Sequence, residues 1–199
     1  MCLSLGIDFK LRSGRGFKTD VDKLVKLVRE KFRLGNHQRL AANLLAKELG
    51  MVIREPQDIS SMSPHVLEQL TVHGKDRWSA LLLKDPLSAR QLIINNPTHS
   101  ECRKESNIFH EISHHFCGHE PDEIEMIGGW PVRRFSKEKE DQAEALAFSL
   151  HLPRDCLFWA AYKGLSREDI GSHFCASRQV VAMRINGTSV ERILKKKIP

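Results

Sequence analysis

The sequence predicts an α+β fold, mainly helical, with one small antiparallel sheet and a helical region at the C-terminal end. Three observations carry that prediction. Apolar residues recur at three- and four-residue spacing through 21–32, 36–49 and 137–151, the pattern of helices with one buried face. Two short apolar runs, 78–83 and 89–95, flank the polar stretch Lys84-Asp85-Pro86-Leu87-Ser88 and read as a strand pair joined by a turn. Just beyond them, His110-Glu111-Ile112-Ser113-His114 forms a HExxH motif on a segment whose Ile108, Phe109, Ile112 and Phe116 make an apolar stripe opposite the polar face.

The elements follow in order. Residues 1–18 mix glycine with Lys10, Arg12, Arg15 and Lys18 and read as a basic, loosely ordered arm. Val21, Leu24, Val25 and Val28 then mark a helix that Asp20 can cap. The second helix, 36–49, is apolar at Leu40, Ala41, Leu44, Leu45 and Leu49 and is closed by Gly50; Met51-Val52-Ile53 reads as an edge strand. A helix over 63–70 has Pro64 in its tolerated first turn. After the strand pair, which runs into Asn95-Asn96-Pro97, the HExxH helix begins within 98–104 and ends by Gly118.

Residues 119–137 read as a charged connection containing Gly128-Gly129-Trp130-Pro131, with Trp130 as a loop anchor. The helix over 137–151 buries Ala143, Leu146, Ala147 and Leu150 and stops before Pro153. Two short helices, 166–174 and 177–185, give the tail a faint helix-turn-helix rhythm, with Arg178 and Arg184 read as exposed. Packing on the core accounts better for Phe158, Trp159, Ile170, Phe174, Val180, Val181 and Ile185. The expected organisation is an arm (1–18), a core (19–153) and a C-terminal helical region packed on it (154–199).

Composition bounds the function. A chain of 199 residues, 41% hydrophobic and 28% charged, fits a folded domain with a sizeable core. No apolar stretch approaches the roughly 18 residues of a spanning helix, so no membrane-spanning helix is expected. Five cysteines, an odd number without CxxC spacing, predict reduced thiols and a cytoplasmic setting rather than a disulfide framework. The net charge of +6 is modest and sits partly at the ends, including Lys195, Lys196 and Lys197; a solvated surface explains it as well as an acidic partner does.

The motif carries the chemistry. Residues four apart on a helix stand one above the other, so His110 and His114 can present two imidazoles to one ion, with Glu111 beside them. Catalytic Zn²⁺ takes three protein ligands and a water whose pKa falls from about 15.7 toward about 7, and Glu111 is placed to take the proton. The third ligand is sought on the helix over 137–151, where Glu140 and Glu144 lie four apart. One can bind the ion while the other fixes the tautomer of a bound histidine, and their roles are interchangeable at this level. Asp141 is a weaker contender, and Asp122, Glu123 and Glu125 are rivals. Cys117 reads as a small apolar residue near the site. The strand edge around Trp78 and Ser79 offers an extended peptide a place to pair.

Together, His110-Glu111-Ile112-Ser113-His114, the preceding Leu92-Ile93-Ile94-Asn95-Asn96-Pro97, and Glu140, Ala143, Leu146, Ala147, Leu150, Leu152 and Pro153 resemble the ImmA/IrrE family of zinc metallopeptidases. The resemblance spans about residues 35 to 190. Leu146 stands where that family commonly has phenylalanine, and His151 interrupts its usual leucine pair, departures that touch packing more than chemistry. The resemblance implies a zincin-like core in which His110, His114 and Glu140 hold Zn²⁺, Glu111 is the general base and Glu144 supports a ligand. It implies a protein substrate, typically a helix-turn-helix repressor or regulator, and a histidine or tyrosine that helps hold the oxyanion. His115, His73 and the only tyrosine, Tyr162, are unassigned in that role.

Two other classes stay open. A regulatory binding module can keep a metal site for structure alone, and it predicts that Glu111→Ala leaves function intact. A DNA-binding protein would use the basic C-terminal helices, and it predicts strongly salt-dependent DNA affinity lowered by changes at Arg178 and Arg184. Direct nucleic-acid binding is the least favoured of the three.

Overall fold

The computed structural model describes residues 5–7, 9–60, 62–84, 90–127 and 130–190. Its first helix, α1 (Phe17–Lys31), starts earlier than the periodicity predicts, because Asp20 does not cap it. The Asp20 carboxylate is instead held from outside the helix by Arg12, whose Nε and Nη2 donate at 2.6 and 2.7 Å. Within the segment read as an arm, Leu5 and Ile7 are buried in the main core. Helix α2 (Ala42–Glu48) begins later than predicted. The Ala42 N–H donates to the Glu105 carboxylate at 2.8 Å, so a distant acid satisfies a helix-start donor and fixes where the helix begins.

Strand β1 (Val52–Arg54) pairs in parallel with β3 (Gln91–Asn95), and β2 (Ala80–Lys84) pairs antiparallel on the other side of β3. The sheet order β1-β3-β2 makes β2 an edge strand, with Leu82 opposite Ile93. Between β1 and β2 lies α3 (Pro64–Glu68), capped by Ser63 Oγ accepting from the Val66 N–H, and a π-helical turn over Gln69–His73. The polar turn predicted at 84–88 lies outside the described residues from 85 onward, as do Cys2 and Lys195 to Lys197.

Helix α4 (Glu101–Cys117) carries the motif and is pinned to the strand pair by amides. Asn107 Nδ2 donates to the Ser79 carbonyl at 3.0 Å and the Asn95 side-chain oxygen at 3.2 Å, one turn before His110. Asn96 Nδ2 donates to the carbonyls of Lys75 and Trp78, holding the chain that leads into β2. Phe109 and Ile112, fully buried, anchor the opposite face of α4; truncating such an aromatic ring costs about 3–5 kcal/mol.

The connection expected at 119–137 contains a hairpin, β4 (Glu123–Ile127) and β5 (Trp130–Arg134). The side chains of Glu125 and Trp130, and both residues of Gly128-Gly129, lie outside the described residues. Helix α5 (Lys137–His151) has the predicted bounds and runs antiparallel to α4, since Ser106 meets His151 and His110 meets Glu140. Among its described residues the tail holds three helices rather than two: α6 (Arg154–Lys163), α7 (Arg167–Phe174) and α8 (Arg178–Gly187). They enclose a second apolar cluster from Leu152 to Val190. Arg178 is exposed as expected, whereas Arg184 turns inward: its Nε donates to the Leu152 carbonyl at 2.8 Å and its Nη1 to Ser149 Oγ at 2.9 Å. No described helix is long and apolar enough to cross a membrane.

Candidate metal centre

Antiparallel packing of α4 on α5 brings three potential ligand atoms together. His110 Nε2 lies 3.1 Å from Glu140 Oε2 and 3.1 Å from His114 Nε2, while His114 Nε2 and Glu140 Oε2 are 3.7 Å apart. The edge of a tetrahedron with arms of about 2.05 Å is about 3.3 Å, so two imidazoles and a carboxylate at these separations fit the first shell of a Zn²⁺-sized ion. These three residues form a group that can hold a metal. Glu140 is placed by the N-terminus of α5, where Asp122 accepts the Ser136 N–H at 2.7 Å and the Lys139 ammonium at 2.7 Å.

The protonation pattern also suits ligation. His119 Nε2 lies 3.1 Å from Gln142 Oε1 and His119 Nδ1 lies 3.0 Å from His114 Nδ1. Because the amide oxygen only accepts, His119 Nε2 carries the proton and its Nδ1 accepts from His114 Nδ1–H. The lone pair of His114 Nε2 is then directed at His110 and Glu140, as a metal ligand requires. The His114 ring also stacks on Phe135 with centroids 3.9 Å apart. Burial lowers the pKa of His114. For His110 burial pulls the same way, but Glu140, Glu111 and Glu144 outweigh it and the pKa rises. The imidazoles beside it, His110 foremost and then His114, hold the Glu140 carboxyl well below the usual carboxylate range.

Glu111 is buried beside this group, and burial pushes its carboxyl up to about 7. It lines a cleft of about 650 Å³ together with His110, His114 and Glu140. Strand β2 lines it with Ala80, Leu81 and Leu82, and the neighbouring β5 and the residue after it add Arg133, Arg134 and Phe135. Val66 and Leu70 close one end, and Trp78 is fixed there by donating from Nε1 to the Leu70 carbonyl at 2.9 Å.

Other predicted residues fall elsewhere. Glu144 bears on His110 through its charge, and no hydrogen bond joins it to either histidine among the described residues. Asp141 is exposed and paired with Lys137 at 3.0 Å; Glu123 is exposed in β4. Asp122 is taken up by Lys139 and Ser136. Cys117 packs against the main core, and burial pushes its thiol up to about 12. His73 is exposed and lies 3.6 Å from Glu68, and Tyr162 is exposed on α6; neither lines the cleft, and nor does His115. The sequence reading missed His119 and Gln142, although a histidine directly after the helix-ending Gly118 was a usable signal: that glycine, at φ 65°, turns the chain back toward α4.

A HExxH helix crossed by a glutamate-bearing helix, beside an edge strand and a cleft, defines a zinc-peptidase-like catalytic domain. A family model described as the IrrE N-terminal-like domain, a peptidase family, matches residues 46–186, and the chain belongs to that family. No curated protein and no solved structure matches it.

Proposed function

We propose that this protein is a zinc-dependent endopeptidase that cuts a regulatory protein, with a DNA-binding repressor as the substrate class. The observation that carries the reading is the convergence of His110 Nε2, His114 Nε2 and Glu140 Oε2 on one point at the edge of the cleft. In this reading those three residues hold Zn²⁺, whose bound state supplies an acidified water and Lewis-acid stabilisation of the developing oxyanion. Glu111 takes the proton of the attacking water and delivers it to the leaving amine. Burial raises the Glu111 carboxyl above its ordinary range, the direction that strengthens it as a base. His119 and Gln142 fix the tautomer of His114, and Glu144 supports His110 by charge. The substrate lies extended along the outer edge of β2, next to Leu81, with Arg133 as the cation nearest the reacting carbonyl. Residues 19–153 form the catalytic core and the chain from 154, described to 190, the attached helical region, a division supported by the two apolar clusters, which part between Leu150 and Leu152.

The test is cleavage of co-expressed helix-turn-helix repressors, with new N-termini identified by mass spectrometry. Wild type is expected to produce one defined cut that a zinc chelator abolishes and Glu111→Gln does not make. Equal cleavage by Glu111→Gln and wild type would remove Glu111 from the mechanism. Tight repressor binding without cleavage by the zinc-loaded wild type would favour a binding module.

A further inference from the structure

Outside the metal centre, two sulfurs meet across the fold. Cys102, in the first turn of α4, and Cys175, in the turn between α7 and α8, place their Sγ atoms 2.7 Å apart although 73 residues separate them in sequence. Both are reduced and half-buried, within reach of a small oxidant. Their backbones are held independently of the sulfurs. His151 Nε2 donates to the Cys175 carbonyl at 2.9 Å, and Ser106 Oγ lies 3.1 Å from both His151 Nδ1 and the Cys102 carbonyl. Cys175 is also in the left-handed region at φ 51°, which fixes the direction of its side chain. A pair so placed needs only a small approach to reach the roughly 2.05 Å of a disulfide.

We propose that Cys102 and Cys175 form an oxidation site, a dithiol that a hydroperoxide converts to a disulfide joining α4 to the α7–α8 turn. Cys102 Sγ, in the first turn of α4, attacks one peroxide oxygen. The O–O bond breaks, the departing oxygen takes a proton and leaves as alcohol or water, and Cys102 becomes a sulfenic acid. Cys175 Sγ then attacks that sulfur, giving up its own proton, and the displaced hydroxide leaves as water. Two thiols are oxidised and one hydroperoxide is reduced. Burial and the neighbouring sulfur hold the Cys175 thiol above its ordinary range, so this second sulfur waits for the first to be oxidised. The bond closes a loop containing His110, His114 and Glu140, tying the helix that carries two of them to the C-terminal helices. None of this depends on the peptidase reading.

The experiment is peroxide treatment of the full, metal-loaded chain, followed by non-reducing peptide mapping and thermal unfolding. Expected is a Cys102–Cys175 cross-linked peptide, loss of two of the five thiols, reversal by dithiothreitol and a Tm rise of roughly 5–10 °C. Cys102→Ser and Cys175→Ser, shown folded by circular dichroism, should give neither the cross-link nor the shift. Oxidation that stops at sulfinic acid on either cysteine, joins either one to another partner, or leaves both as free thiols would overturn the proposal.

Discussion

His114 and His151 are nearly equally hidden, at 3% and 1% exposure, and both rest at the α4–α5 contact, yet their surroundings differ in kind. His151 Nε2–H donates to the Cys175 carbonyl, and Nδ1 shares the one Ser106 hydroxyl proton with the Cys102 carbonyl. That is a closed network, and its neutral imidazole is a packing element. His114 has only Nδ1 answered, by His119, while Nε2 faces another imidazole nitrogen at 3.1 Å and a carboxylate oxygen at 3.7 Å. His110 Nε2, His114 Nε2 and the Glu140 carboxylate oxygen converge where one cation can sit between them. Burial alone does not separate a structural histidine from a ligand; convergence with other ligand-capable atoms does.

The sharpest way to break that contrast is to remove a converging atom. His110→Ala, His114→Ala or Glu140→Ala should each take metal content from about one ion per chain to near zero and abolish cleavage, whereas His151→Gln should leave the metal in place. Glu111→Gln is expected to lower the cleavage rate by about 10² to 10⁴-fold with metal retained, the range for loss of a general base. Steady-state rates at matched metal occupancy check this.

The closed network has its own signature in acid. Burial pulls the His151 ring down to about 4, below the ordinary value of about 6.5, so the unfolded chain binds the extra proton first as pH falls. Its contribution is complete above pH 6.5 and is lost between pH 6.5 and pH 4, amounting to about 3 kcal/mol. Urea unfolding at stepped pH should show that slope in wild type and a flatter one in His151→Gln. At the open network, His119→Ala removes the partner that sets the His114 tautomer and should weaken metal affinity about 10- to 100-fold, measured by competition with a chelator. The smallest effect belongs to the Arg12–Asp20 pair, far from the metal ligands in sequence. Arg12 holds the Asp20 carboxyl down to about 2, and Arg12→Gln should return it toward 3.8 by NMR titration with the metal content unaltered.

How much of this could be read from the residues depends on the range of the interaction. Helix α5 was legible to its ends because Pro153 and the Ala143, Leu146, Ala147 and Leu150 stripe punctuate it, and His110, Glu111 and His114 declare themselves by spacing. Glu140 was distinguished from Glu144 through the family resemblance, since periodicity puts both on one helix face. The β4–β5 hairpin was hidden by its charges: Glu123 pairs with Arg134 and Ile124 with Arg133, and Pro131 sits inside β5, a pattern that reads as solvated loop. Helix α2 starts where Glu105 supplies an acceptor from 63 residues away, and α1 starts early because Arg12 diverts its expected cap. Partners of that kind, like the Cys102–Cys175 contact, are set by tertiary folding and leave no local mark.

The most direct test of the central claim is elemental analysis of the chain purified without a metal-chelating tag, beside a folded Glu140→Ala variant. The account predicts about one zinc per wild-type chain and almost none in the variant. Wild type that stays metal-free after zinc addition, or a variant that keeps its full complement, would contradict it.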